Sequence, residues 1–192
     1  MSQCSYAEHV SSTRMFIAVR PPETVREEVA EFLTPRDGMT WVDSQQWHIT
    51  LAFLAAVPMH REDDLVESVA RTALRHKAFD LRLSGSGAFP NPLEARVLWL
   101  RPDVDLTALA TGVRHAANSV GATPDGQRFV GHLSVARPRR PIDARRWLQV
   151  LDTFSSDAWP VTEIDLVASY LAEGVHRRPR HEVVATLPLA DR

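Results

Sequence analysis

Two short segments of the sequence each place a histidine two positions before a hydroxyl residue. His48 and Thr50 lie in WHITLAFLAAVP, and His132 and Ser134 lie in RFVGHLSVARP. Because side chains alternate across a strand, each histidine points to the same side as its hydroxyl partner, about 7 Å away along the chain. The two segments therefore predict two strands that each present an imidazole and a hydroxyl on one face.

The residues between them predict a buried opposite face. In the first segment Ile49, Leu51 and Phe53 are expected to point away from His48, into an aliphatic core. The second segment follows the same alternation. We therefore expect each strand to bury one face against helices and to offer the other face to a groove.

Two imidazoles and two hydroxyls that converge on a groove suit the chemistry of a phosphodiester. One neutral histidine takes a proton from water and a second, protonated histidine gives a proton to the leaving oxygen, since an unperturbed pKa near 6.5 permits both roles near neutral pH. The hydroxyls hold non-bridging phosphoryl oxygens, and an arginine stabilises the growing charge. This chemistry needs no metal, and the sequence lacks the Cys-x-x-Cys or paired-histidine patterns of zinc sites. We expect no cofactor.

The elements that must position these residues occur twice along the chain. A strand at 15–20, a helix to about residue 33 and a strand at His48 are matched by a strand at 97–101, a helix to residue 120 and a strand at His132. Met15, at the start of the first strand, is 33 residues before His48, and Val97, at the start of the matching strand, is 35 residues before His132. Two similar halves predict pseudo-symmetric lobes with a ligand groove between them.

The remaining pattern completes an α+β fold. Apolar residues at helical spacing predict helices at 61–77, 105–120 and 144–154, the second of which ends at Gly121. Alternating residues predict one strand at 79–89 and two final strands at 164–172 and 182–189. We expect a disordered tail over residues 1–13 and a single bilobal domain over 14–192.

Composition limits the class of protein. The formal charge of −2 argues against a protein that covers many phosphates of a long nucleic acid, but it allows a small phosphate-bearing ligand. There is one cysteine, Cys4, so neither a disulfide framework nor a thiolate metal site is expected. No apolar run reaches the length of a membrane span, and the first residues lack a signal-peptide core. We expect a cytoplasmic monomer that does not bind a membrane.

Arginines and aromatic residues around the motifs admit two interpretations. Nearly all positive charge is arginine, which pairs with phosphate oxygens in bidentate fashion, but codon usage explains the same bias. The arginines cluster at Arg137, Arg139 and Arg140 and again at Arg177, Arg178 and Arg180. The aromatic residues that either stack on a base or fill the core are Trp47, Phe89 and Trp99.

The chain resembles the two-histidine phosphoesterases, and among them the RNA 2′,3′-cyclic phosphodiesterases, also described as LigT-like 2′-5′ RNA ligases. The resemblance runs from Arg14 to Leu189. It rests on RMFIAVRPPETVREEV, WHITLAFL, SGSGAFP, RVLWL, RFVGHLSVARP and the closing LPL. It implies a bilobal α+β fold in which two antiparallel sheets, with helices on their outer faces, form a central groove.

The resemblance also implies an activity and residue roles. The activity is metal-independent opening of 2′,3′-cyclic phosphates, at RNA ends or in small cyclic nucleotides, to 2′-phosphates. By this analogy His48 is the general acid and His132 the general base, although the reverse reaction exchanges the two roles. Thr50, Ser134 and Arg137 would bind the phosphate. Arg137 has the wrong strand parity to share the face of His132, so it requires a bulge or a strand end.

Several positions depart from the family pattern. The second motif usually reads Pro-His-x-Thr-Leu-Ala-Arg, whereas this chain has Gly131, Ser134 and Val135 at three of those places. The hydroxyl is retained, and Gly131 is expected to loosen the start of the strand. His181 replaces a tyrosine that is frequent in relatives, which puts a stacking or packing role of that position in doubt.

Two alternatives remain open. The same groups would catalyse the reverse reaction, an ATP-independent joining of RNA ends through a 2′-5′ bond. A module that only binds RNA ends could have the same fold, although binding alone would not need two titrating histidines.

Overall fold

Nine strands and four helices make up the part of the chain that the structure, a computed structural model, describes: residues 11–170 and 179–192. The strands are β1 (Ser12–Val19), β2 (Ile49–Pro58), β3 (Phe79–Leu81), β4 (Leu83–Phe89), β5 (Val97–Pro102), β6 (Leu133–Ala136), β7 (Trp159–Val161), β8 (Glu163–Tyr170) and β9 (Arg180–Pro188). The helices are α1 (Glu23–Leu33), α2 (Glu62–Ala73), α3 (Thr107–Ser119) and α4 (Arg145–Leu151).

The strands confirm the predicted α+β class with antiparallel pairing. Seven of them form one sheet in the order β4-β5-β6-β2-β1-β8-β9, and β3 and β7 form a separate two-stranded sheet. The two predicted sheets are thus continuous, but their junction is narrow, because the pair Ile49 and Leu133 alone links β2 to β6. The sequence repeat is present as β1-α1-β2 and β5-α3-β6.

β1 runs through the middle of one lobe and is buried on both faces. Met15, Ile17 and Val19 belong to the main core, which also contains the apolar faces of the four helices. Phe16 and Ala18 point the other way and contact Val167 on the neighbouring strand. Burial on both faces explains why this strand is a continuous apolar run rather than an alternating one.

The helices follow the predicted apolar spacing. Val25, Val29 and Leu33 are the buried residues of α1, which begins directly after the two prolines that end the first strand. In α2 and α3 the buried residues recur at the same spacing, and Ser68 Oγ donates to Ala116 O at 3.1 Å between the two helices. Gly121 has a φ of +83°, so a glycine ends this helical segment as expected.

Several boundaries differ from prediction. The single strand predicted at 79–89 is divided into β3 and β4, which belong to different sheets, and the helix predicted at 61–77 ends at Ala73. β1 begins at Ser12, so the last two residues of the predicted tail pair with β2, and the first ten residues lie outside the described part. β6 is only four residues long, because 126–132 is irregular, so each motif histidine immediately precedes its strand. β7 was not predicted, since three residues with a proline carry too little pattern to identify a strand without its partner β3.

Candidate active site

The four motif side chains meet where the two lobes join. Ile49 pairs with Leu133 in antiparallel orientation. Extended by one residue on each side, that register sets His48 opposite Ser134 and Thr50 opposite His132 across the strand junction. Each histidine is therefore placed beside the hydroxyl of the other motif, in an arrangement with approximate two-fold symmetry.

Matching bulges lie one residue after each hydroxyl. Along β1 and β2 the pairing passes from Ala18 with Thr50 to Ile17 with Ala52, which leaves Leu51 without an opposite residue. Along β5 and β6 Val135 is skipped in the same way. An extra residue in one strand reverses the alternation of every side chain beyond it.

The bulges turn Phe53 and Arg137 toward the groove. The prediction that Phe53 shares the buried face of Ile49 and Leu51 is therefore wrong, because the simple alternation stops at Leu51. The geometric requirement stated for Arg137 is met: it follows β6 directly, beyond the bulge, and its Nη2 lies 3.5 Å from Ser134 Oγ. Its backbone N–H donates to Thr40 O at 3.0 Å, which anchors this end of the motif.

All five predicted site residues line one cleft of about 370 Å³, hereafter the central cleft. Its lining comprises Arg14, Phe16, Val42, Gln46, His48, Thr50, Phe53, His132, Ser134, Arg137, Ser169, Pro179 and His181. A second cleft of about 280 Å³ adjoins it and shares Phe16, His48 and His181 with it. The sheet thus offers an open groove on the face opposite the main core.

The two imidazoles are held in the same way. His48 Nδ1 lies 2.6 Å from Gln46 O, and His132 Nδ1 lies 2.7 Å from Val130 O. Because a carbonyl oxygen only accepts, Nδ1 carries the proton in both rings. Nε2 is then the nitrogen that each ring can offer to a ligand, as an acceptor when neutral and as a donor when protonated.

The cleft favours the neutral form of both histidines. Burial lowers the pKa of His48 to about 4, against the hydrogen bond to Gln46. Repulsion from Arg137, and from His181 and His132 when these are protonated, lowers it further. Burial also lowers the pKa of His132, and Arg137 acts in the same direction. An anionic ligand would reverse this balance, because negative charge favours the protonated imidazole.

Aromatic rings fix the orientation of the two imidazoles. Phe16 stacks on His48 with ring centroids 4.4 Å apart, and Phe89 contacts His132 edge to face at 4.9 Å. Of the candidate stacking residues, Trp47 and Trp99 are only 3% and 7% exposed and belong to the core. Although it is buried, Trp99 lies next to the site, since its ring centroid is 6.0 Å from that of His132.

Arg14, Phe16 and His181 are among the groove residues that the motifs did not assign. Arg14 and Phe16 come from β1: Phe16 pairs with Phe53 across the strands, and Arg14, at an irregularity of the register, covers the Phe53 ring. His181 lies on β9 and contacts His48 edge to face at 5.6 Å and Phe16 at 5.0 Å. Burial lowers the pKa of His181, and Arg20 adds to this effect. The departure from the usual tyrosine was the sequence signal that singled out this position.

Apart from Arg137, the described arginines of the two clusters do not line the central cleft. Arg139 and Arg140 line a separate surface depression beside Trp147. Arg180 lies 3.5 Å from the carboxylate of Glu182 and packs over Tyr170, whereas Arg177 and Arg178 are outside the described residues. Within residues 11–170 and 179–192, no three His, Cys, Asp or Glu side chains are grouped so as to hold a metal ion. No helix of this same part is long and apolar enough to cross a membrane.

Comparison with known proteins gives consistent matches. The family model described as LigT like Phosphoesterase matches residues 19–99. An RNA 2′,3′-cyclic phosphodiesterase of Archaeoglobus fulgidus is 32% identical over 132 residues, covering 66% of this chain and 73% of that protein. One of Geobacillus stearothermophilus is 30% identical over 186 residues, covering 91% of this chain but only 56% of that protein.

Solved structures share the whole architecture. The apo form of E. coli LigT superposes with a TM-score of 0.72 at 25% identity, covering 94% of this chain and 99% of LigT. E. coli LigT in complex with 3′-AMP gives a TM-score of 0.71 at 26% identity, with coverage of 93% and 98%. Each superposition covers more than nine tenths of this chain.

Proposed function

Since the chain belongs to the LigT-like family of two-histidine phosphoesterases, we propose that it hydrolyses 2′,3′-cyclic phosphates at RNA ends to 2′-phosphates without a metal. The observation that carries this proposal is the placement of His48 and His132 on either side of the Ile49–Leu133 pair, in one cleft. Both Nδ1 atoms are tied to backbone carbonyls, so both Nε2 atoms are available in one groove.

The chemistry needs one proton acceptor and one proton donor. His132 Nε2 takes a proton from water as the water oxygen forms a bond to phosphorus. The bond from phosphorus to the 3′ oxygen breaks, and His48 Nε2–H gives its proton to that oxygen. The products are a 2′-phosphate and a 3′-hydroxyl, and exchange of one proton with solvent restores both histidines.

The phosphate is held between the two motifs. Thr50 and Ser134 are neutral donors on either side of the junction, and Arg137 supplies the positive charge beside Ser134. These groups are in place before the substrate binds, so they stabilise the charge that develops on the non-bridging oxygens without reorganisation.

The acid must acquire its proton together with the substrate. A pKa of about 4 leaves His48 neutral in the empty cleft at pH 7. Bound phosphate places negative charge beside the ring and raises its pKa, so binding near neutral pH is accompanied by proton uptake. Calorimetric titration with a product 2′-nucleotide in buffers of different ionisation enthalpy measures this uptake.

The first test is turnover by the purified protein in excess EDTA with a short RNA that ends in a 2′,3′-cyclic phosphate. Phosphorus NMR should show a 2′-phosphate product. A 3′-phosphate product would refute the proposed direction of ring opening. Absence of turnover, with RNA bound equally by wild type and His132→Ala, would replace the proposal with an RNA-end binding module.

A second test assigns the two roles. Replacing the departing 3′ oxygen by sulfur gives a leaving group that needs no proton. His48→Ala should then recover most of its lost rate on the sulfur substrate, whereas His132→Ala should not. The opposite pattern of recovery would exchange the assigned acid and base.

A further inference from the structure

Arg14 occupies the end of the central cleft opposite Arg137. Phe53 follows His48 by five residues, as Arg137 follows His132, and both face the groove because of the matching bulges. β2 and β6 are antiparallel, so the two positions lie in opposite directions from the Ile49–Leu133 junction. Arg14 covers Phe53, with its Cζ 4.6 Å from the ring centroid. A guanidinium group is therefore present at both ends of the groove.

The charge of Arg14 has no carboxylate partner among the described residues. Two other arginines near the groove pair with carboxylates: Arg20 with Asp165 at 3.6 Å and Arg180 with Glu182 at 3.5 Å. Arg14 is exposed, and the described part of the chain places no acidic side chain within salt-bridge distance of it. Stacking on the Phe53 ring orders the guanidinium but uses its face, which leaves the in-plane N–H groups free for an anion.

The reacting phosphate already has its donors. Thr50, Ser134 and Arg137 lie at the junction and toward the opposite end, next to the two histidines. Arg14 lies beyond Thr50, on the side of Phe53, where a second anionic group of an extended substrate would lie. In a chain of RNA the nearest such group is the phosphodiester that joins the terminal nucleotide to the one before it.

We propose that Arg14, ordered by Phe53, binds this adjacent internucleotide phosphate and makes the enzyme prefer RNA ends to mononucleotides. This inference rests on the proposed function and specifies its substrate class. A bidentate, charge-assisted contact corresponds to about a 10- to 100-fold gain in kcat/KM for the longer substrate.

The test compares two dinucleotides that both end in a 2′,3′-cyclic phosphate. One has an ordinary phosphodiester between its nucleosides, and the other has a neutral methylphosphonate there. Arg14→Gln should lower kcat/KM at least about tenfold on the charged dinucleotide and no more than about threefold on the neutral one. Arg82→Gln is the matched control, because Arg82 is exposed and is not part of the cleft.

Equal losses on the two dinucleotides would overturn the proposal, because Arg14 would then act on the reacting phosphate or only hold Phe53. Equal activity of Arg14→Gln and wild type on both substrates would also overturn it. If the wild type hydrolyses neither, the proposed function fails, and the same comparison is made by binding. In its 2′-phosphate form, the charged dinucleotide should then bind Arg14→Gln more weakly than it binds the wild type, whereas the neutral dinucleotide should bind the two proteins equally. Equal losses of affinity for the two dinucleotides, or no loss for either, would overturn the proposal independently.

Discussion

Phe53 and Arg137 occupy equivalent places in the two lobes, each five residues after a motif histidine and each just beyond a bulge. One position carries a ring covered by Arg14 and the other carries a guanidinium group directly. The repeat therefore extends from the histidine and hydroxyl to a third position, and the two lobes diverge in chemistry at that position.

Replacement of either motif histidine should abolish most turnover without unfolding the protein. His48→Ala and His132→Ala should each lower kcat by about 10²- to 10⁴-fold, as expected for loss of a general acid or base. His60→Ala is the control, because His60 is exposed beyond the end of β2. Steady-state kinetics and thermal melting measure the two effects, and a variant with near-full activity would remove that histidine from the mechanism.

The Thr50 hydroxyl should contribute through a hydrogen bond rather than through packing. Thr50→Val keeps nearly the same volume and should lower kcat/KM about tenfold, because a donor to the phosphoryl oxygen is lost. The thermal midpoint should move little, since the side chain lines an open cleft. Unchanged kinetics would show that Thr50 does not contact the phosphate.

The pH dependence of the free enzyme should differ from that of the complex. The pKa values of both histidines are lowered in the empty cleft, so kcat/KM should have its optimum below pH 6.5 and should fall about tenfold per pH unit on the alkaline side. Bound phosphate raises both pKa values, so the profile of kcat should lie at higher pH. Coincident profiles would contradict this account.

Stability should fall in acid partly because of His48. Its pKa is about 4 when folded and near 6.5 when unfolded, so between these values the unfolded chain binds more protons. The free energy of unfolding therefore decreases as pH falls from 6.5 to 4, by on the order of 3 kcal/mol for this group. Urea denaturation of His48→Asn should show a flatter pH dependence than that of His60→Asn. Equal slopes would indicate that His48 is not desolvated.

Gly87 should be required for the packing beneath His132. A Cβ at this position would lie 2.1 Å from Trp99 Cζ2, so Gly87→Ala must displace the indole. We expect a loss of about 1–3 kcal/mol in the free energy of unfolding and a lower kcat, because Trp99 packs near His132. Gly126→Ala is the matched control, since nothing lies within 4 Å of a Cβ there. Equal stability of the two variants in denaturant titrations would exclude this packing role.

Local pattern in the sequence was sufficient for most of the elements and for the pairs at the centre of the site. The two-residue period of a strand placed His48 with Thr50 and His132 with Ser134, and all four line the cleft. Apolar spacing after two prolines identified α1, and Gly121 marked the end of the α3 segment. These features depend on interactions within one element, so a single segment contains the information.

Tertiary structure decided what depends on neighbours distant in sequence. The bulges at Leu51 and Val135 are defined by the partner strands, so the reversal that brings Phe53 and Arg137 into the groove has no signal in either motif alone. Arg14 and His181 join the site through the strand order, and the depressed pKa of His48 arises from burial created by the assembled lobes. Sequence determined the histidine and hydroxyl pair that each strand presents, whereas the register and bulges between strands determined how the pairs meet and which other side chains join them.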